Sequence, residues 1–168
     1  MHDGLQPAAW HELFVATATA AAALLGLIFV AISLHMREIE TRPTLRLRAR
    51  LNLQALGSVL TASLAALLPG QGPRWLGVEL LAISFAYLGL VAVGCLRTAR
   101  EIQGLPADVR FRVLLQNSVL VLQVAASVSL MTGSGPGLYL EAPMVLLALP
   151  VTIFNAWNIV FARELREP

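Results

Sequence analysis

Lysine is absent from this 168-residue chain, cysteine occurs once, and apolar stretches hold almost no acidic residues. Each shortage excludes something. A single Cys95 gives no disulfide framework and no C-x-x-C pair, so redox chemistry has no foothold. There is no H-E-x-x-H, no cysteine cluster and no pair of carboxylates inside an apolar run, which removes the common metal-ligand arrangements. His2 and His11 precede the first apolar run and His35 closes it, so no two histidines meet at depth as haem ligation would require. Gly133-Ser134-Gly135 lacks the G-x-S-x-G spacing of a nucleophile elbow and reads as a flexible turn. These gaps leave no catalytic residue, no metal site and no cofactor to assign.

What is present is grease. Hydrophobic residues make up 57% of the chain and charged residues 13%, with a mean hydropathy of +0.72, too little polar surface for a water-soluble domain of this length. Five apolar stretches stand out, Leu13–Met36, Leu51–Leu68, Trp75–Leu96, Val113–Met131 and Pro143–Phe161. Each approaches the roughly 20 residues that a helix needs to cross a bilayer core. The expected fold is all-α: a polytopic transmembrane helical bundle of five spans, with residues 1–168 forming one transmembrane domain. The first stretch does not read as a cleaved signal. Met1-His2-Asp3-Gly4 has no basic n-region, and the densest arginine cluster follows the run instead of preceding it.

All twelve basic residues are arginine, and threading the spans back and forth gathers eleven of them on one side. Arg37, Arg42, Arg46, Arg48 and Arg50 lie between spans one and two. Arg97, Arg100, Arg110 and Arg112 flank the link between three and four, and Arg163 and Arg166 follow span five. Only Arg74 falls opposite. Short cytoplasmic loops accumulate arginine and lysine, so the N-terminus is expected outside and the C-terminus inside. The formal charge of +2 and a pI near 9.3 do not imply nucleic acid, because the arginines sit at helix ends rather than in one patch interleaved with aromatics. Membrane lipids are the expected partners. Arg46, Arg48, Arg50, Arg110 and Arg112 are candidate contacts to anionic head groups, at about 1 kcal/mol each near an acidic surface.

Sliding the chain by sixty-three positions, Arg37 onto Arg100, aligns two hairpins. Leu25-Gly26-Leu27-Ile28 then meets Leu88-Gly89-Leu90-Val91, and Pro43 meets Pro106. One reading is a parallel repeat of a helical hairpin about an axis along the membrane normal, with span five as half of a third copy. The other is positive-inside bias combined with helix-start proline. Pro43 and Pro106 are expected at the first helical position.

Small residues mark expected packing seams, because in lipid close contact must replace the hydrophobic drive between helices. Ala18, Ala22 and Gly26 recur on one face of span one, Ser58, Ala62 and Ala66 in span two, and Ala82 and Ala86 with Gly89 in span three. Such seams serve contacts within one chain or between copies, which leaves a homo-oligomer open. Polar groups inside spans are the functional candidates, since they are costly there. Asn117, Gln123, Asn155, Asn158 and Ser84 form a candidate polar path, weighted toward the cytoplasmic half, with Gln123 and Ser84 near mid-bilayer. Glu79 reads as the one acidic residue within a span, close enough to Trp75 to snorkel outward. Trp10, Trp75, Trp157 and Tyr139 fit interfacial belts.

The run Ala20-Ala21-Ala22-Ala23-Leu24-Leu25-Gly26-Leu27-Ile28-Phe29-Val30-Ala31-Ile32-Ser33 resembles the first helix of small uncharacterised bacterial integral membrane proteins. The resemblance implies a bacterial cytoplasmic membrane, covers about one helix and assigns no residue a role. The arginine-only, Ala- and Leu-rich composition hints likewise at a GC-rich bacterial genome. The sequence reads first as a non-enzymatic helix-packing or interaction module. Its rival is a small homo-oligomeric channel or carrier with an inward-facing, amide-lined path, and a lipid-modifying enzyme is a distant third.

Overall fold

The computed structural model describes residues 6–101, 103–134 and 136–161, and these are all helix, turn or irregular backbone. A 3-10 turn, Pro7–Trp10, leads into α1 (His11–Leu34), α2 (Met36–Thr41), α3 (Pro43–Ala66), α4 (Pro73–Glu101), α5 (Ala107–Thr132) and α6 (Leu138–Phe161). Three of them, α1, α4 and α5 from Val109, are long and apolar enough to cross a membrane. The exterior agrees. Leu27, Phe29, Phe85, Leu114 and Phe154 are exposed, whereas Asn52, Ser84, Gln123 and Glu141 are buried, the inverse of a protein built for water. The helices therefore mark a membrane-embedded protein.

The elements outrun the apolar stretches because helix continues wherever backbone bonds close, whatever the side chains contact. Accordingly α3 begins at Pro43 and carries Arg46, Arg48 and Arg50 in its first turns, eight residues ahead of the apolar stretch that opens at Leu51. Pro43 takes the first helical position as expected. Pro106 instead sits just outside α5, with extended ψ of 150°. α1 stops two residues early, at His35, whose N–H reaches the carbonyls of Ala31 and Ile32 and whose Nδ1 lies 2.9 Å from Ala31 O. α6 starts five residues before the expected Pro143 and keeps both Pro143 and Pro150 inside it.

Successive long helices run antiparallel, as three apolar clusters show. At the arginine-poor end, Phe14 of α1, Ala62 and Ala66 of α3, Leu76 and Leu80 of α4, Leu130 of α5 and Leu138 of α6 pack together. A middle cluster joins Ala21, Val59, Val145 and Ala148. At the arginine-rich end, Leu47, Leu51, Val91 and Val109 close the interior, and an ion pair of 3.6 Å ties Arg46 to Glu101. Helix α3 touches every other helix and has the longest roll of buried residues, from Leu47 to Ala66. Close approach is licensed at Gly77, where a Cβ would stand 2.8 Å from Ser127 O and from the Met131 side chain, and at Gly57, where it would meet the Tyr87 hydroxyl at 2.8 Å. The α5–α6 link turns at Gly133, whose φ of 67° is left-handed and whose N–H closes the last turn onto Leu130 O.

Candidate functional site

The buried polar residues fall into two groups. The first lies one turn below the cluster at the arginine-poor end. Thr17, Ser63, Ser127 and Glu141 each sit three residues inward from a member of that cluster: Phe14, Ala66, Leu130 and Leu138. Seven residues inward on α1, α3 and α6 come Ala21, Val59 and Val145 of the middle cluster. Because the two clusters bracket these positions on α1, α3 and α6, and Ser127 stands one turn inward from Leu130 on α5, the four side chains occupy one layer, about 5 Å thick at 1.5 Å rise per residue. All four are buried, none more than 3% exposed.

Within this layer the hydroxyls of Thr17 and Ser127 donate to backbone carbonyls. Thr17 Oγ1 donates to Phe14 O at 3.1 Å and shares 2.9 Å with Ser63 Oγ, and Ser127 Oγ donates to Gln123 O at 2.7 Å. Glu141 has neither carboxyl oxygen hydrogen-bonded among the described residues. One turn deeper on α5, Gln123 is fully buried and both its amide atoms are likewise without partners. Ser84, on α4 at similar depth, turns its hydroxyl back to Leu80 O at 2.8 Å.

The second group opens toward the arginine-rich half. A cleft of about 20 Å³, room for a single water, is lined by Gln54, Ser58, Tyr87, Asn117, Leu120 and Thr152 among others. Asn117 lines it with a buried Oδ1, and Asn52 on α3 has its Nδ2 buried; neither atom finds a partner among the described residues. Thr152 donates back to the carbonyls of Ala148 and Leu149. Such a volume is far below that of a water-filled pore, and apolar clusters lie beyond it toward the other end.

The structure separates the expected residues. Gln123, Ser84 and Asn117 are interior, but they divide between a dry layer and a cleft instead of lining one path. The side chains of Asn155 and Asn158 lie outside the described residues. Of the packing residues, Ala18 is buried, whereas Ala22, Gly26 and Gly89 face outward, and a Cβ at Gly26 or Gly89 would meet nothing within 4 Å. Spacing by four keeps residues on one side of a helix without saying which side faces the bundle; α1 turns Phe14, Thr17, Ala18, Ala21 and Ile28 inward. Ser58, Ala62 and Ala66 are all buried.

Among the basic residues, Arg46 is engaged by Glu101 and by Glu40 O at 2.8 Å, Arg48 is half-buried, and Arg50 and Arg110 are exposed. The Arg112 side chain lies outside the described residues. Glu79 is half-buried and accepts a 2.6 Å bond from Gln71 Nε2, so its carboxyl is held by the neighbouring loop. Glu141 was missed because it precedes the apolar run at Pro143 and looks like loop. The available signal was the spacing Leu138, Glu141, Val145, Ala148, Thr152, an inward stripe that includes the acid. Trp10 and Tyr139 make an edge-on ring contact at 4.9 Å, with Trp10 packed against the outer apolar cluster. No protein-family model, curated protein or solved structure matches the chain.

Proposed function

We propose that the chain is a five-span protein of a bacterial cytoplasmic membrane, N-terminus outside and C-terminus inside, acting as a carrier for a small polar or ionic solute. The antiparallel order of the helices and the arginines at one end support the topology. In that placement α3 and α6 supply the remaining two spans, and Arg50 and Arg110 meet anionic head groups. The hairpin repeat of α1–α3 and α4–α5 belongs to the same reading.

Gln123 carries the functional part. An amide retained for packing would bond across helices, but this one is fully buried and makes no side-chain bond among the described residues. Leaving such a group unsatisfied costs about 1–3 kcal/mol. Groups of this kind inside a membrane belong to substrate and ion pathways. The narrow cleft at Asn117 fits an occluded carrier better than an open channel. Reconstituted vesicles test this with proton, sodium, potassium and urea as probes. Saturable flux without single-channel conductance, lost in Gln123→Leu and Asn155→Leu, is expected; absence of flux for all four probes in wild type overturns it.

The helix-packing or interaction reading keeps one supporting observation. Ala22, Gly26 and Gly89 face outward, where small residues would let a second copy approach closely. Native mass spectrometry in detergent tests it, and a monomer at all concentrations would remove it.

A further inference from the structure

From the layer around Glu141 we infer a proton-binding site: the carboxyl of Glu141 is held in its acid form inside the membrane, as an exchangeable proton site on the arginine-poor side of Gln123. Four helices build it. The outer apolar cluster seals one side, the middle cluster flanks the other, and Glu141 itself is fully buried with no partner to either oxygen among the described residues.

The chemistry of the surroundings chooses between the charged and neutral forms. A carboxylate needs donors or a cation, and an isolated charge in so dry a place costs several kcal/mol. Thr17 and Ser127 spend their hydrogens on the carbonyls of Phe14 and Gln123, so what their oxygens still offer is acceptance. Acceptors suit a carboxylic acid, which brings its own hydrogen. Gln123, a turn deeper, has N–H and C=O both unused among the described residues, and a neutral amide cannot neutralise an ion.

Among the described residues no charged partner compensates. The ionisable side chains described at the same end are His11, Glu12, Arg74 and Tyr139, all exposed, and Glu79, which is held by Gln71. Among the described residues no three His, Cys, Asp or Glu side chains come together as a metal group would require. One carboxyl surrounded by neutral groups is balanced by a single positive charge, and a divalent ion would leave an excess charge buried. A proton also needs no cavity.

The inference rests on the membrane-embedded reading but not on transport. The full-length protein in phosphatidylglycerol-containing vesicles is treated with dicyclohexylcarbodiimide, an apolar reagent that adds to a protonated carboxyl, giving an O-acylisourea that rearranges to a stable N-acylurea with nothing lost. Peptide mapping is expected to find the reagent on Glu141, with the modification retained in Glu79→Gln and absent in Glu141→Gln. Replacing choline chloride by sodium chloride should not slow it. Infrared spectroscopy of wild type should show a protonated-carboxyl C=O band that moves in deuterium oxide, and Glu141→Gln should lack it. An unmodified Glu141 in folded wild type, or the missing band, overturns the site. So does protection by sodium alone, which would make the occupant a metal cation. If Glu141→Gln does not fold, the wild-type map and band decide. Modified Glu141 without flux counts against the carrier alone, and flux without modification counts against the proton site alone.

Discussion

The two halves of the bundle bury polar groups in opposite ways. In the arginine-poor half, hydroxyls and a carboxyl from four helices lie in a closed layer between apolar clusters. In the arginine-rich half, amides border a cleft that admits one water's worth of space beside Tyr87 and Asn117. A cleft with room for a water lets one satisfy what the protein leaves open, whereas a closed layer charges the full cost of each unbonded atom. The difference teaches that depth along a helix does not set how expensive a polar residue is; enclosure does.

Substitutions can break or sharpen this contrast. The largest effect is expected at Gly77, where any side chain must displace Ser127 O and Met131 just above the closed layer. Gly77→Leu should cost about 3 kcal/mol, read as a lower melting temperature in detergent. Gln123→Leu should move stability the other way. Removing two unpartnered buried atoms in favour of a similar apolar volume should raise stability by about 1–2 kcal/mol while abolishing flux. A loss of stability there would mean that the amide bonds between helices after all.

At the cleft the same change should matter less. Asn117→Leu is expected to shift stability by less than about 1 kcal/mol in either direction, because the residue it replaces is only partly buried and borders a cleft; thermal unfolding beside Gln123→Leu measures the contrast. The smallest effect belongs to Gly26. With nothing within 4 Å of an added Cβ, Gly26→Leu should leave the stability of one chain within about 0.5 kcal/mol of wild type. Only a fall in oligomer mass would show that its face meets another copy.

Helices could be read from the chain because lipid-facing residues dominate their composition, and the inverted exterior of Leu27, Phe85 and Leu114 follows from the same residues. Ends were harder. Arg46 and Arg48 lie outside the apolar stretch that begins at Leu51, yet α3 runs through them from Pro43, since helix geometry does not stop where hydropathy does. The site was legible in part. Gln123 stood out as an amide in the middle of an apolar run, but which small residues face inward depends on helix rotation, and so Ala18 is buried while Ala22 and Gly26 are not. Glu141 was hidden for a different reason. Its neighbours on the page are Leu140, Ala142 and Pro143, whereas the residues that share its layer come from α1, α3 and α5.

Helix α3 also carries a message about biogenesis. On the five-span reading it is the least greasy of the long helices at its arginine-bearing start, yet it is the one that all the others surround. A segment loaded with arginines partitions weakly on its own. It should therefore leave the insertion machinery paired with α4, whose apolar length can carry it, and truncating the nascent chain before Pro73 should leave α3 outside the bilayer.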